Sequence, residues 1–226
     1  CNTMQIMVFT RDHQGSTIAH VVNEVKKFIA ANPSENLELK LASGNVGVMV
    51  ATNEAVDSAE VTMLIFLFAS ISLLCLLEFR SWRATLCIIV PLAIVAVLCN
   101  ALMAWLGIGL KVSTLPVIAL GVGVGVDYGI YLYERMAHEL EKGVGLPAAF
   151  LEALRQRGTA AAFTAATMAI GVGTWAFSAL KFQADMGILL AFMFVVNMLG
   201  AILLLPALAA FLISPASYLR GKTQHA

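Results

Sequence analysis

The chain has 226 residues, 60% hydrophobic and 12% charged, with 14 Lys+Arg against 14 Asp+Glu. Soluble domains run nearer half apolar and a quarter charged, so a disordered tail and an ordinary cytosolic enzyme are both excluded. With no net positive charge to meet phosphates, a nucleic-acid partner is excluded as well.

Residues 1–60 hold seven acids and four bases and read as a segment outside lipid. Residues 3–10 alternate apolar and polar side chains and predict a strand. From Gly15 to Ala31 the pattern changes to helical spacing. Ile18, Val21, Val22, Val25, Phe28 and Ile29 share one face, and Asn32-Pro33-Ser34 stops the helix. Leu37, Leu39 and Leu41 alternate with Glu38 and Lys40, which predicts a second strand. A β-α-β unit spanning 1–45 is too small for a full core. It reads as the remnant of a larger α+β domain, and a chain opening within a strand reads as a piece of a longer protein. Residues 46–60 predict a connecting helix, kept out of lipid by Glu54, Asp57 and Glu60.

Five apolar runs follow, at about 61–77, 84–106, 113–133, 159–180 and 186–213, each near the ~20 residues that cross a bilayer. The predicted fold class is therefore mainly α, a five-helix membrane region at 61–213 after the small α+β unit. Pro206 predicts a kink or an early end in the last run. Within 134–158, Pro147 and the alternation of Ala148, Ala149, Leu151, Ala153 and Leu154 with Glu152, Arg155 and Arg157 predict a short helix on the membrane surface.

The connections differ in charge. Arg80, Arg83, Arg135, Lys142, Arg155, Arg157, Arg220 and Lys222 fall on one side; Lys111 and Lys181 fall on the other. The positive-inside rule puts the first group, with the 214–226 tail, in the cytoplasm and the N-terminal segment outside.

The four cysteines (Cys1, Cys75, Cys87, Cys99) form no CxxC pair, and three lie in apolar runs. They read as small buried hydrophobes. His13, His20, His138 and His225 show no paired ligand spacing. Neither a metal nor a cofactor is expected.

The chemical signal is Asp127, the only acid within the five runs. A carboxylate in hydrocarbon costs several kcal/mol unless it is protonated, paired or wet, which makes it a functional candidate. In a span ending near residue 133 it lies roughly 10 Å from the interface, beyond the reach of its short side chain. Tyr128 stands beside it and can donate a phenolic O–H. Asp127, Tyr131 and Glu134 fall at i, i+4 and i+7, a polar stripe toward the charged end. Tyr131 and Tyr133 also suit an interfacial aromatic belt. Gly121, Gly125 and Gly129 are spaced by four, which lets another helix approach closely.

Thr164, Thr167, Gly171 and Thr174 form a face of the fourth run. These threonines either bond back to their own helix or meet the Asp127 face as relay partners, with Thr164 and Thr167 the candidates. Asn100 and Asn197 read as interhelical glue. The glycines around Asp127 do not make a dinucleotide fingerprint, because no strand and turn precede them. An aspartyl protease needs two carboxylates sharing a proton, and these runs supply one.

The segment GVGVGVDYGIYLYER (121–135) resembles the resistance-nodulation-division superfamily, and within it the MMPL-type exporters. ATNEAVDSAEVTMLIF and LLEFRSWRATL are similar to the approach to the eighth span and the short cytoplasmic turn after it. Residues 159–180 look like the eleventh span, and 1–45 like the end of a periplasmic porter domain. The resemblance implies twelve spans in two pseudo-repeats, with this chain supplying the last five. It implies a secondary active transporter rather than an enzyme, a proton antiporter of a bacterial inner membrane. Asp127 and Tyr128 match one of two facing Asp-Tyr pairs through which protons move. The other pair belongs to an N-terminal half outside this chain. Drug exporters of the superfamily place a Lys in the tenth span, so Asp127 favours lipid or hydrophobic-compound cargo. Expected partners are membrane lipids, that N-terminal half and the cargo, with a homo-oligomer left open. A sterol- or lipid-sensing module with a structural Asp127 is the alternative.

Overall fold

A computed structural model describes residues 15–32, 45–108 and 114–213. The chain divides into two compact units, residues 1–61 with 109–112, and residues 62–108 with 113–226.

In the first unit, helix α1 runs Gly15–Ala31. Val21, Val22, Val25 and Ile29 are half-buried, while Asn23, Glu24, Lys26 and Lys27 are exposed, as the helical spacing requires; Phe28 is exposed as well. Asn32 closes the helix by donating both its backbone N–H and its Nδ2 to Phe28 O. Lys26 Nζ meets Glu54 Oε1 of helix α2 (Asn45–Phe79) at 2.6 Å. Among the described residues there is no strand, and the β-α-β reading is not supported. Its expected strands, 3–10 and 37–41, lie outside the described residues.

The remaining helices are α3 (Trp82–Trp105), α4 (Leu115–Glu141), α5 (Leu146–Ala153), α6 (Thr159–Gly173) and α7 (Lys181–Leu212). Among the described residues five helical runs are long and apolar enough to cross a membrane: Val50–Phe79, Trp82–Trp105, Pro116–Glu141, Leu146–Phe177 and Lys181–Leu212. In the second unit α7 packs against α3, α4 and α6. Its Leu189, Met193 and Leu205 are fully buried with Cys87, Ile88 and Val95 of α3 and Val117, Val122 and Met136 of α4. Outward faces carry Phe66, Leu74, Val97, Ile170 and Phe211, which suits hydrocarbon rather than water. Trp82 and Trp105 are exposed at the two ends of α3, roughly 35 Å apart at 1.5 Å per residue, about the separation of the two interfaces of a bilayer.

Element ends differ from expectation in identifiable ways. Residues 46–60 are helical, as expected, within α2, which starts at Asn45. Helix α4 passes the expected edge at 133 and continues to Glu141, held by pairing of Glu139 with Arg135 and Lys142. Residues 146–177 form one helical run, with a π turn at Leu154–Gly158 joining α5 to α6. The short helix expected within 134–158 is present as α5, and it continues through the π turn into α6. Pro206 ends nothing, and α7 continues to Leu212.

The turns carry their own chemistry. Gly107 (φ 66) follows α3 and Gly143 (φ 85) follows α4, both in the left-handed region that glycine adopts without strain. Arg80 (φ 48) takes the same region between α2 and α3. Ser81 then caps α3, its Oγ accepting from Ala84 N.

Candidate functional site

Helix α4 opens with Pro116 in its first turn, where the missing N–H is no loss. Its glycines let two different helices come close. A Cβ on Gly121 would overlap the Met193 side chain, and one on Gly125 would overlap the Asn197 amide, both on α7. A Cβ on Gly129 would stand 3.2 Å from Ile88 Cγ2 of α3. The glycine face therefore meets α7 and α3, and not the threonine face of α6. Asn197, 3% exposed, donates Nδ2 to Gly121 O at 2.8 Å.

One residue along, the helix turns a different side outward. Gly123, Asp127, Tyr131, Glu134, His138 and Glu141 are all exposed, at spacings of four, four, three, four and three. They make one polar stripe along α4. Asp127 stands 11 residues from Pro116 and 14 from Glu141, about 17 and 21 Å along the axis.

Tyr128 points elsewhere. It is 2% exposed and packs with Leu132, with Ala161 and Ala165 of α6 and with Ala201 of α7. Its hydroxyl has no hydrogen-bond partner among the described residues. Thr164 and Thr167 are exposed on α6, and Thr167 Oγ1 donates to Phe163 O and Thr164 O. Thr174 Oγ1 likewise donates to Gly171 O. Among the described residues no side-chain hydrogen bond joins Asp127 or Tyr128 to Thr164 or Thr167. The structure thus brings Tyr128 to α6 through apolar packing, and leaves Asp127, Tyr131 and the threonines on open faces.

Sequence reasoning passed over Glu139. It is 8% exposed and accepts from Arg135 Nη2 at 2.6 Å and Lys142 Nζ at 3.0 Å. The i, i+4 and i, i+3 spacings were the available signal.

The family model for MMPL matches residues 2–223, nearly the whole chain. The chain belongs to the MMPL family. A membrane protein of Methanocaldococcus jannaschii is 30% identical over 138 residues, which cover 61% of this chain and 36% of that protein. The chain spans about a third of the length of that curated relative over the matched region. Membership of the MMPL family, together with the five apolar helices, makes this a membrane protein of a transporter-related family. Asp127 and the glycines around it lie well inside the matched region.

Proposed function

We propose that this chain is part of a proton-motive-force-driven exporter of lipids or other hydrophobic compounds, and that Asp127 is its proton-relay carboxylate. The observation that carries the reading is an exposed carboxylate in the middle of an apolar helix long enough to span a bilayer. Hydrocarbon cannot cover that face without a cost of several kcal/mol. In this reading an N-terminal half of the transporter, outside this chain, covers the α4 stripe and the threonine edge of α6. Residues 1–45 belong to a periplasmic porter-like domain, residues 214–226 are a cytoplasmic tail, and the membrane is a bacterial inner membrane.

A proton reaching Asp127 removes its charge, and with it the penalty for apolar surroundings. The neutral and charged forms therefore favour different placements of α4 against its cover. Tyr128 follows Asp127 in the chain, so a rotation of α4 carries the phenol with it. Its hydroxyl, unbonded among the described residues, can then accept a new partner. The proton gradient supplies the free energy.

The test uses the full-length protein in proteoliposomes under an imposed pH gradient. Cargo-dependent proton flux that disappears in Asp127→Asn is expected. Flux unchanged by that substitution removes the relay and favours a lipid-sensing module instead.

A further inference from the structure

At one end of the second unit a cleft of about 700 Å³ opens between the α2–α3 turn, the last turns of α4 and the π turn. Three arginines line it from three elements: Arg83 on α3, Arg135 on α4 and Arg157 in the π turn. Three carboxylates line it too, Glu78 from α2 and Glu134 and Glu141 from α4. Arg135 gives Nη2 to Glu139, yet its Nε is buried with no hydrogen-bond partner among the described residues. Arg83, Arg157, Glu78, Glu134 and Glu141 form no ion pair among the described residues. Opposite charges that line one cleft without closing on each other present separate positions for an anion and a cation.

The level of the cleft limits what fills it. Trp82, beside Arg83, is 69% exposed, and an exposed tryptophan at the end of a spanning helix sits at the headgroup layer. Part of the wall is apolar: the Phe79 and Tyr133 rings meet edge to face with centroids 5.1 Å apart. Arginines between membrane helices at that level suit a lipid phosphate. Once Arg135 is assigned to Glu139, the unpaired lining is two guanidiniums against three carboxylates, with His138 beside them. A purely anionic headgroup would leave those carboxylates opposed to it.

We propose that this cleft binds the headgroup of a zwitterionic phospholipid with a primary amine, phosphatidylethanolamine. Arg83 and Arg157 take the phosphate, and Glu78 and Glu134 take the ammonium. The site is separate from Asp127 and does not depend on proton coupling.

The full-length protein is placed in nanodiscs of palmitoyl-oleoyl phosphatidylethanolamine, phosphatidylcholine and phosphatidylglycerol in equal parts. It is then extracted into mild detergent, and retained lipid is read by native mass spectrometry. Phosphatidylethanolamine is expected over each competitor by about fivefold, the scale of one or two partly exposed charge contacts. Arg83→Gln with Arg157→Gln should lower the retention of all three lipids, since each carries the phosphate. Glu78→Gln with Glu134→Gln should erase the preference over both phosphatidylcholine and phosphatidylglycerol. All four side chains are exposed, so folding should survive; Arg157→Gln alone gives the same readout if the double variant fails to fold. Preferred phosphatidylglycerol, or no preference, overturns the proposal. Displacement of the lipid by soluble phosphoethanolamine at equal concentration makes this a solute site and overturns the lipid assignment.

Discussion

Asn197 of α7 reaches into the glycine groove of α4 and donates Nδ2 to Gly121 O at 2.8 Å, and a Cβ on Gly125 would overlap the same amide. The bond fixes where α7 stands along α4, one turn and a half before Asp127. A side chain at Gly125 must displace that amide, whereas one at Gly200 would meet Pro91 Cβ and Val95 Cγ2 at an ordinary 3.7 Å. Gly125→Ala should therefore destabilise the protein by about 1–3 kcal/mol, the usual cost of overpacking, and Gly200→Ala by much less. Thermal unfolding of the two purified variants, followed by tryptophan fluorescence, checks the difference. Equal melting temperatures would mean that the groove is loose.

The end of α4 separates backbone strain from side-chain crowding. Gly143 has φ 85 and Gly145 has φ −64, and a Cβ on either would find nothing within 4 Å. Gly143→Ala should cost about 1 kcal/mol through the left-handed backbone alone, and Gly145→Ala next to nothing. The same melting measurement reads both.

Glu139 holds the last turns of α4 together. Its carboxylate is 10% exposed and bonded to Arg135, whose own side chain is 24% exposed. Glu139→Ala leaves that guanidinium half-buried without its partner and should lower the melting temperature measurably. Lys142→Ala removes a 49%-exposed partner and should cost under about 1 kcal/mol. Hydrogen exchange in residues 134–141 should quicken in the first variant and barely change in the second.

These cases show what the sequence carried and what it did not. The five apolar runs were legible because hydrocarbon length and composition mark them directly. Their ends were not. Charged residues from Glu134 to Glu141 look like a loop, but pairing at helical spacing keeps them in α4. A π turn let the 146–153 segment run on into α6, and no composition signal announces such a turn. Spacing identified Gly121, Gly125 and Gly129 as one face. It could not say that α7 and α3 would meet that face, since periodicity orders residues around a helix and leaves the neighbour open. Asn197, an amide alone in an apolar run, was readable as interhelical glue; its partner, a backbone carbonyl, leaves no mark in a sequence.

The proposed orientation is open to direct test. Cys75, Cys87 and Cys99 are buried, so with Cys1 replaced by Ser they should give little background with a membrane-impermeant maleimide. Lys27→Cys and Gln156→Cys place thiols at exposed positions of α1 and the π turn. In intact cells Lys27→Cys should react from outside, and Gln156→Cys only after the membrane is opened. The reverse pattern would invert the topology, and labelling of both from outside would mean that one of the first three apolar runs does not cross the membrane.

The decisive pair is Asp127 and Tyr128, because their surroundings call for different outcomes. Asp127 is exposed on a stripe that hydrocarbon cannot cover cheaply, while Tyr128 is buried among alanines, its hydroxyl unbonded among the described residues. Asp127→Asn keeps the shape and one polar oxygen but cannot exchange a proton. In the full-length protein it should leave abundance and melting temperature nearly unchanged while abolishing export, a loss of at least about a hundredfold if proton transfer is obligatory. Tyr128→Phe deletes a buried hydroxyl that has no partner among the described residues, so stability should stay level or rise by up to about 1 kcal/mol. Export should fall by a smaller factor, because a hydrogen-bonding group is lost and not the titrating one. Abundance by immunoblot, melting temperature and proton-driven export are measured on the same three proteins. A structural role for Asp127 reverses the pattern, since an amide can replace a carboxyl that only holds helices together. Full export in Asp127→Asn ends the relay assignment, and a Tyr128→Phe protein that exports at the normal rate confines Tyr128 to packing.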